Sequence, residues 1–136
     1  MSQPFSLTFT AQAHHIDVMG HVNNAVWVQW MEAIATAHWE AVAPPEHVAA
    51  YAWVVTRHEI DYRGNVSAGE QVTAHTFIPE GPIGARFDRR VDFRNAEGKV
   101  YVWDTAAGQA KLWDDPTLGK LALEGAYVVE GKACKP

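Results

Sequence analysis

The sequence predicts an α+β fold, one long apolar helix wrapped by a meander of strands, and three observations predict it. Between Ala25 and Ala41 the apolar residues Val26, Trp27, Trp30, Met31, Ile34, Ala37 and Ala41 recur mostly at steps of three and four, one face of a 3.6-residue repeat. From Ala52 onward the period drops to two. No comparable second helix follows, so the helix must bury its face against the sheet. The expected order is β-α-β-β-β-β.

Each element has its own signal. Phe5, Leu7, Phe9 and Ala11 alternate with Ser6, Thr8, Thr10 and Gln12, a first strand that ends at His14-His15. The helix follows a polar loop, with Asn23 or Asn24 placed to cap its free N–H groups, and the prolines at Pro44-Pro45 stop it. His47 to Tyr51 fits a short extra turn. Ala52 to Arg63 is a long β-rich run, broken by Gly64-Asn65 and Ser67-Ala68-Gly69. Gln71 to Ile78 and Ala85 to Arg94 are the next strands, and Asn95-Ala96-Glu97-Gly98 is a hairpin turn. Lys99 to Trp113 is the last long strand, with Gly108 a possible bulge. Beyond Asp114 only Ala126 to Val129 has weak strand character.

Composition excludes several functional classes. At 136 residues the chain reads as a single domain, 1–136, with a core over 5–113 and a C-terminal extension over 114–136. Its 48% hydrophobic content is that of a globular protein, yet no stretch is long enough to cross a membrane. The opening residues lack a basic segment followed by an apolar one, so a cytoplasmic location is the expectation. Cys134 is the only cysteine, which removes intramolecular disulfides and CxxC metal knuckles. A net charge of −5 argues against nucleic acid, whose phosphates need a basic face. His14, His15 and His21 lack the i, i+4 spacing of a helical metal pair, and adjacent strand histidines point to opposite faces, so no metal is expected.

The informative stretch is Asp17-Val18-Met19-Gly20-His21-Val22-Asn23-Asn24, which feeds a carboxylate-bearing loop into a helix N-terminus. The orphan N–H groups and positive dipole end there attract developing negative charge. A base beside aimed donors suits acyl transfer. This stretch, followed by an aromatic helix, resembles the acyl-CoA thioesterases of the hotdog-fold superfamily, the group containing 4-hydroxybenzoyl-CoA thioesterase. It also resembles a segment of the plant acyl-ACP thioesterases. Glu59-Ile60-Asp61-Tyr62-Arg63, followed by Gly69-Glu70, is similar to the strand and turn after that family's helix. In element order the resemblance runs from Phe5 to Trp113.

The resemblance implies the hotdog fold and hydrolysis of a thioester to a free carboxylate and coenzyme A. Asp17 would act as general base on water or attack the carbonyl itself. Backbone N–H groups near Asn23 and Asn24 would hold the oxyanion, and Gly20 would let backbone pass close to the thioester. His21 matches the histidine of the plant enzymes, but Met19 stands where they carry asparagine, so Asp17 carries over more firmly. Glu32 lies near the place where another hotdog branch keeps its catalytic carboxylate. It also lies on the polar line Gln29–Thr36–Glu40, which reads as a solvated face. Trp27, with Trp30, would line a pocket for a compact or aromatic acyl group. Arg86, Arg89 and Arg90 would hold coenzyme phosphates, against the reading of a self-compensating exposed face from Arg86 to Arg94. No cofactor is implied, since coenzyme A is part of the substrate, although an acyl carrier protein could replace it. The family further implies a homodimer or homotetramer. Two other classes compete with this reading. A hydratase or dehydratase would need Asn at Met19 and His at Val22, and a non-catalytic acyl-thioester binder would not need Asp17.

Overall fold

A computed structural model describes residues 4–79 and 86–112, with side chains through Ala110. Strand β1 (Phe5–Thr10) leads through a 3-10 turn (Ala13–His15) to helix α1 (Asn24–Val42) and the short helix α2 (Pro45–Ala50). Strands β2 (Tyr51–Tyr62), β3 (Gln71–Phe77), β4 (Arg86–Arg94) and β5 (Val100–Leu112) follow. They form one antiparallel sheet in the order β1-β3-β4-β5-β2. The two edge strands are the ones that flank the helices in sequence. So α1 crosses the sheet from one edge to the other, and the sheet curls around it.

Local chemistry sets these boundaries. Asn23 is the N-cap, and its side chain accepts from the Ala25 N–H at 2.9 Å. The helix ends at Ala43, because Pro44 has no N–H to continue it, and Pro45 opens α2 at a position suited to proline. The β4–β5 turn closes with the Asn95 N–H donating to the Lys99 carbonyl, and Gly98 takes a φ of +87°. The core gathers Trp27, Trp30, Met31 and Ile34 of α1 with Val72, Ala74, Val91, Phe93 and Val102 of the sheet. Trp27 stands edge-on to Phe93 at 5.0 Å.

Two expectations change. His14 and His15 do not lie on a strand with opposite faces. They occupy the 3-10 turn, and their rings are 4.2 Å apart. The irregularity expected at Gly108 sits across from it on β2, where the pairing with β5 slips between Val55 and Arg57 and leaves Thr56 extra. Gly108 is small for a different reason. A Cβ there would meet Cε1 of Phe87 at 2.7 Å. Ala85, Trp113, Cys134 and the weak strand at Ala126–Val129 lie outside the described residues, as does the C-terminal extension.

Candidate functional site

Two places carry chemistry, and they do not share a residue. The first is the loop ahead of α1. Ile16 and Val22 pair across it as an isolated bridge, and Val22 is buried in the core. The Asp17 N–H donates to the His21 carbonyl at 2.8 Å, and the Gly20 N–H donates to the Asp17 carbonyl at 3.0 Å. Closing so tight a loop takes Gly20 to a φ of +80°, the left-handed region that a side chain resists. The Asp17 carboxylate turns back into the loop, where Oδ1 accepts from the N–H of Met19 at 2.9 Å and of His21 at 3.2 Å. No described residue donates to Oδ2, which leaves that oxygen for a water or substrate. Val18 and Met19 project at the tip, both strongly exposed, and the His21 side chain is exposed too.

The N–H groups around the helix start are unequally committed. The Asn23 N–H donates to the His15 carbonyl at 2.9 Å. Ala25 is taken by the cap, and Val26 donates to the Asn23 carbonyl. Of the two N–H groups expected to face an oxyanion, that of Asn23 is therefore already engaged. Among the described residues, the Asn24 N–H is the donor without an acceptor. It sits at the positive end of α1.

The second place is a cleft of about 930 Å³, its open mouth included, between α1 and strands β2, β4 and β5. One wall is the helix line Glu32, Thr36, Trp39 and Glu40. The polar line expected to be solvated is thus divided: Gln29 and Glu40 are exposed, whereas Glu32 and Thr36 are half-buried against the sheet. The other wall includes Trp53, His58, Phe87, Arg89 and Asp104. Trp39 and Trp53 meet edge-on at 5.4 Å, and Trp53 and Phe87 at 4.4 Å.

Two polar assemblies stand in this apolar frame. His58 Nδ1 is 2.6 Å from Oδ2 of Asp104, whose Oδ1 accepts from the Glu59 N–H at 3.1 Å. Asp104 is 1% exposed. The Arg89 guanidinium binds His38 Nδ1 and Thr76 Oγ1, both at 2.9 Å. Burial pushes Arg89 down to about 10, so it stays charged near neutrality. Burial first, and the Arg89 charge second, lower the His38 pKa. The bulge at Thr56 makes the first assembly possible. Trp53 and Val55 face the helix, and the extra residue resets the alternation so that His58 faces it too.

The sequence-predicted residues therefore scatter. Asp17, Gly20, His21, Asn23 and Asn24 share the loop and cap, and Glu32 lies in the cleft. Trp27 is 1% exposed and belongs to the core with Trp30, so neither lines the cleft; Trp39 and Trp53 do. Arg86 and Arg90 lie exposed on the outer face of β4, while Arg89 points inward. Strand alternation prevents the three from sharing one phosphate. Arg94 pairs with Asp92 at 2.8 Å, the compensating pattern of an exposed face. His58 and Asp104 were missed, since they are 46 residues apart and meet only across β2 and β5. Tyr62 bridges the two places. Its hydroxyl is 3.5 Å from the Asn24 carbonyl, and burial, then the nearby Asp104 charge, raises its pKa.

Comparison with known proteins follows the same lines. A family model described as the thioesterase superfamily matches residues 19–80, a stretch that begins two residues after Asp17 and ends before Arg89 and Asp104. A comparison with curated proteins found no match. The chain superposes on a DHNA-CoA thioesterase from Staphylococcus aureus with a TM-score of 0.72 at 14% identity, covering 92% of this chain and 97% of that one. A probable thioesterase from Bartonella henselae gives 0.71 at 16% identity, covering 81% and 91%. A thioesterase complexed with coenzyme A and Zn from Thermus thermophilus gives 0.68 at 22%, covering 79% and 84%. Among the described residues no three His, Cys, Asp or Glu side chains gather as a metal site, and no helix is long and apolar enough to cross a membrane. The architecture is thus the hotdog fold of these solved structures, and the stretch 19–80 is similar to the thioesterase superfamily.

Proposed function

We propose that the protein is an acyl-CoA thioesterase with Asp17 as its acting carboxylate. The observation that carries this reading is the pairing of an Asp17 oxygen left open by its loop with the uncommitted Asn24 N–H at the start of α1. In the reaction, water attacks the thioester carbonyl while Asp17 takes its proton, or Asp17 attacks first and water releases the acyl group. The Asn24 N–H holds the oxygen that becomes negative, a contribution of about 10²–10³-fold for one such donor. The C–S bond then breaks and the thiol leaves. The match to a thioesterase family and the neighbour bound to coenzyme A support this substrate. The active species in this reading is a homodimer or homotetramer in the cytoplasm. An acyl carrier protein remains the alternative carrier.

Thiol release with Ellman's reagent, from short, medium, long and aromatic acyl-CoA esters, tests the proposal on wild type, Asp17→Asn and Glu32→Gln. Wild type is expected to turn over at least one ester and Asp17→Asn to lose about a hundredfold or more, the lower end for a general base. An unimpaired Asp17→Asn beside an inactive Glu32→Gln would move the role to the cleft carboxylate.

A further inference from the structure

The His58–Asp104 pair has no part in the hydrolysis just described, yet it occupies the middle of the cleft. We propose that His58 is a specificity residue that reads a hydroxyl group on the acyl part of the substrate. The proposal rests on the thioesterase reading only for the direction in which the acyl group lies.

The chemistry starts at Asp104. Its carboxylate is buried, and both oxygens are engaged as acceptors, Oδ1 by the Glu59 N–H and Oδ2 by His58 Nδ1. A carboxylate can only accept, so Nδ1 carries the proton, and in that tautomer of the imidazole Nε2 is an acceptor. His58 is partly open, at 23% side-chain exposure, and it lines the cleft. Such an acceptor, among Trp39, Trp53 and Phe87, complements a donor on the ligand. A plain hydrocarbon chain would cover Nε2 and leave it without a partner. A hydroxyl supplies the missing O–H.

The position along the cleft separates this hydroxyl from the reacting carbonyl. Tyr62 fixes the end of β2 beside Asn24, where the thioester is held. His58 is four residues back along β2, about 13 Å at strand rise. Glu32, on the helix wall, is eight residues after Asn24, about 12 Å at helix rise. The two walls therefore place His58 and Glu32 at similar depth, well beyond the oxyanion site and short of the Trp39–Trp53 end. A group bonded there belongs to the acyl chain or ring, several bonds from the thioester.

The test uses pairs of acyl-CoA esters that differ by one hydroxyl, 6-hydroxyhexanoyl against hexanoyl and 4-hydroxyphenylacetyl against phenylacetyl. Their non-hydrolysable thioether analogues give affinity by calorimetry. Wild type is expected to bind the hydroxylated member of at least one pair tenfold or more tightly. His58→Leu should bring the two members within threefold, chiefly by losing the hydroxylated one, and His58→Gln, which keeps an acceptor, should retain part of the preference. Equal affinities in wild type overturn the proposal, as does a preference that survives His58→Leu. If His58→Leu instead slows hydrolysis of both esters alike, His58 serves proton transfer and the specificity role is wrong. Should the thioether preference appear while no ester is hydrolysed, the hydroxyl site stands and the hydrolase reading falls.

Discussion

The Asp17 loop and the cleft differ in how far along the chain their parts lie. The hydrogen bonds by which Asp17 shapes the loop join residues at most four apart, from Asp17 Oδ1 to the N–H of Met19 and His21. The cleft joins His58 to Asp104, 46 residues away, and Arg89 to His38, 51 away. The loop is a local conformation that presents polar atoms to the outside. The cleft exists only once four elements have packed, and its polar groups are enclosed by aromatic rings. A local site can change with little consequence for the fold, whereas a non-local one is inseparable from folding.

Two glycines sharpen this contrast. In Gly108→Ala the new Cβ lies 2.7 Å from Phe87 Cε1 and 3.3 Å from the Val54 carbonyl oxygen, so the ring must move within the cleft wall. The expected loss is about 2 kcal/mol in urea unfolding, in the range for overpacking, with ligand affinity falling alongside. In Gly20→Ala nothing lies within 4 Å of the new Cβ, and only the φ of +80° resists it. The cost should be about 1 kcal/mol, the ordinary penalty for a left-handed residue. Its effect on turnover should exceed its effect on stability, because the same loop holds Asp17. Equal stability losses for the two variants would break the distinction.

The smallest effect concerns pH. His38 has a folded pKa below its unfolded value, owing to burial and then to Arg89. The unfolded chain therefore binds more protons just below the ordinary histidine value of 6.5, and stability present above that pH declines as pH falls through the window beneath it. His38→Gln should flatten this decline by well under about 1 kcal/mol, visible as a smaller shift of the urea midpoint between about pH 7 and pH 5.5. The loop, whose bonds do not involve His38, should keep its turnover profile. An unchanged slope in His38→Gln would assign the acid sensitivity elsewhere.

The same distinction explains what could be read from the residues. The helix was legible because Val26, Trp27, Trp30, Met31 and Ile34 repeat at its period, and all five are buried. Strand β4 was legible as the run ending at Arg94, although the phosphate reading grouped the inward Arg89 with the outward Arg86 and Arg90. The loop with its cap was legible as a contiguous run. Long-range pairing was not. The strand order, which places β2 beside β5, leaves no local trace, so neither the His58–Asp104 contact nor the half-burial of Glu32 was visible. Trp27 and Trp39 lie on the same helix, and periodicity alone does not tell the core-facing ring from the cleft-facing one.

The slip at Thr56 reaches further than its size suggests. Strand alternation works as a reading frame with a period of two, and one surplus residue shifts it. At the same chain length but without the slip, either the Trp53 half or the His58 half of β2 would turn to the opposite face of the sheet, whereas deleting Thr56 removes the surplus residue together with the slip and keeps both halves inward. Loss of that one codon would thus straighten the strand without changing which side chains face the cleft. The extra residue and the slip are therefore a matched pair: both can be lost together, whereas loss of the slip alone would strip one half of β2 from the cleft wall.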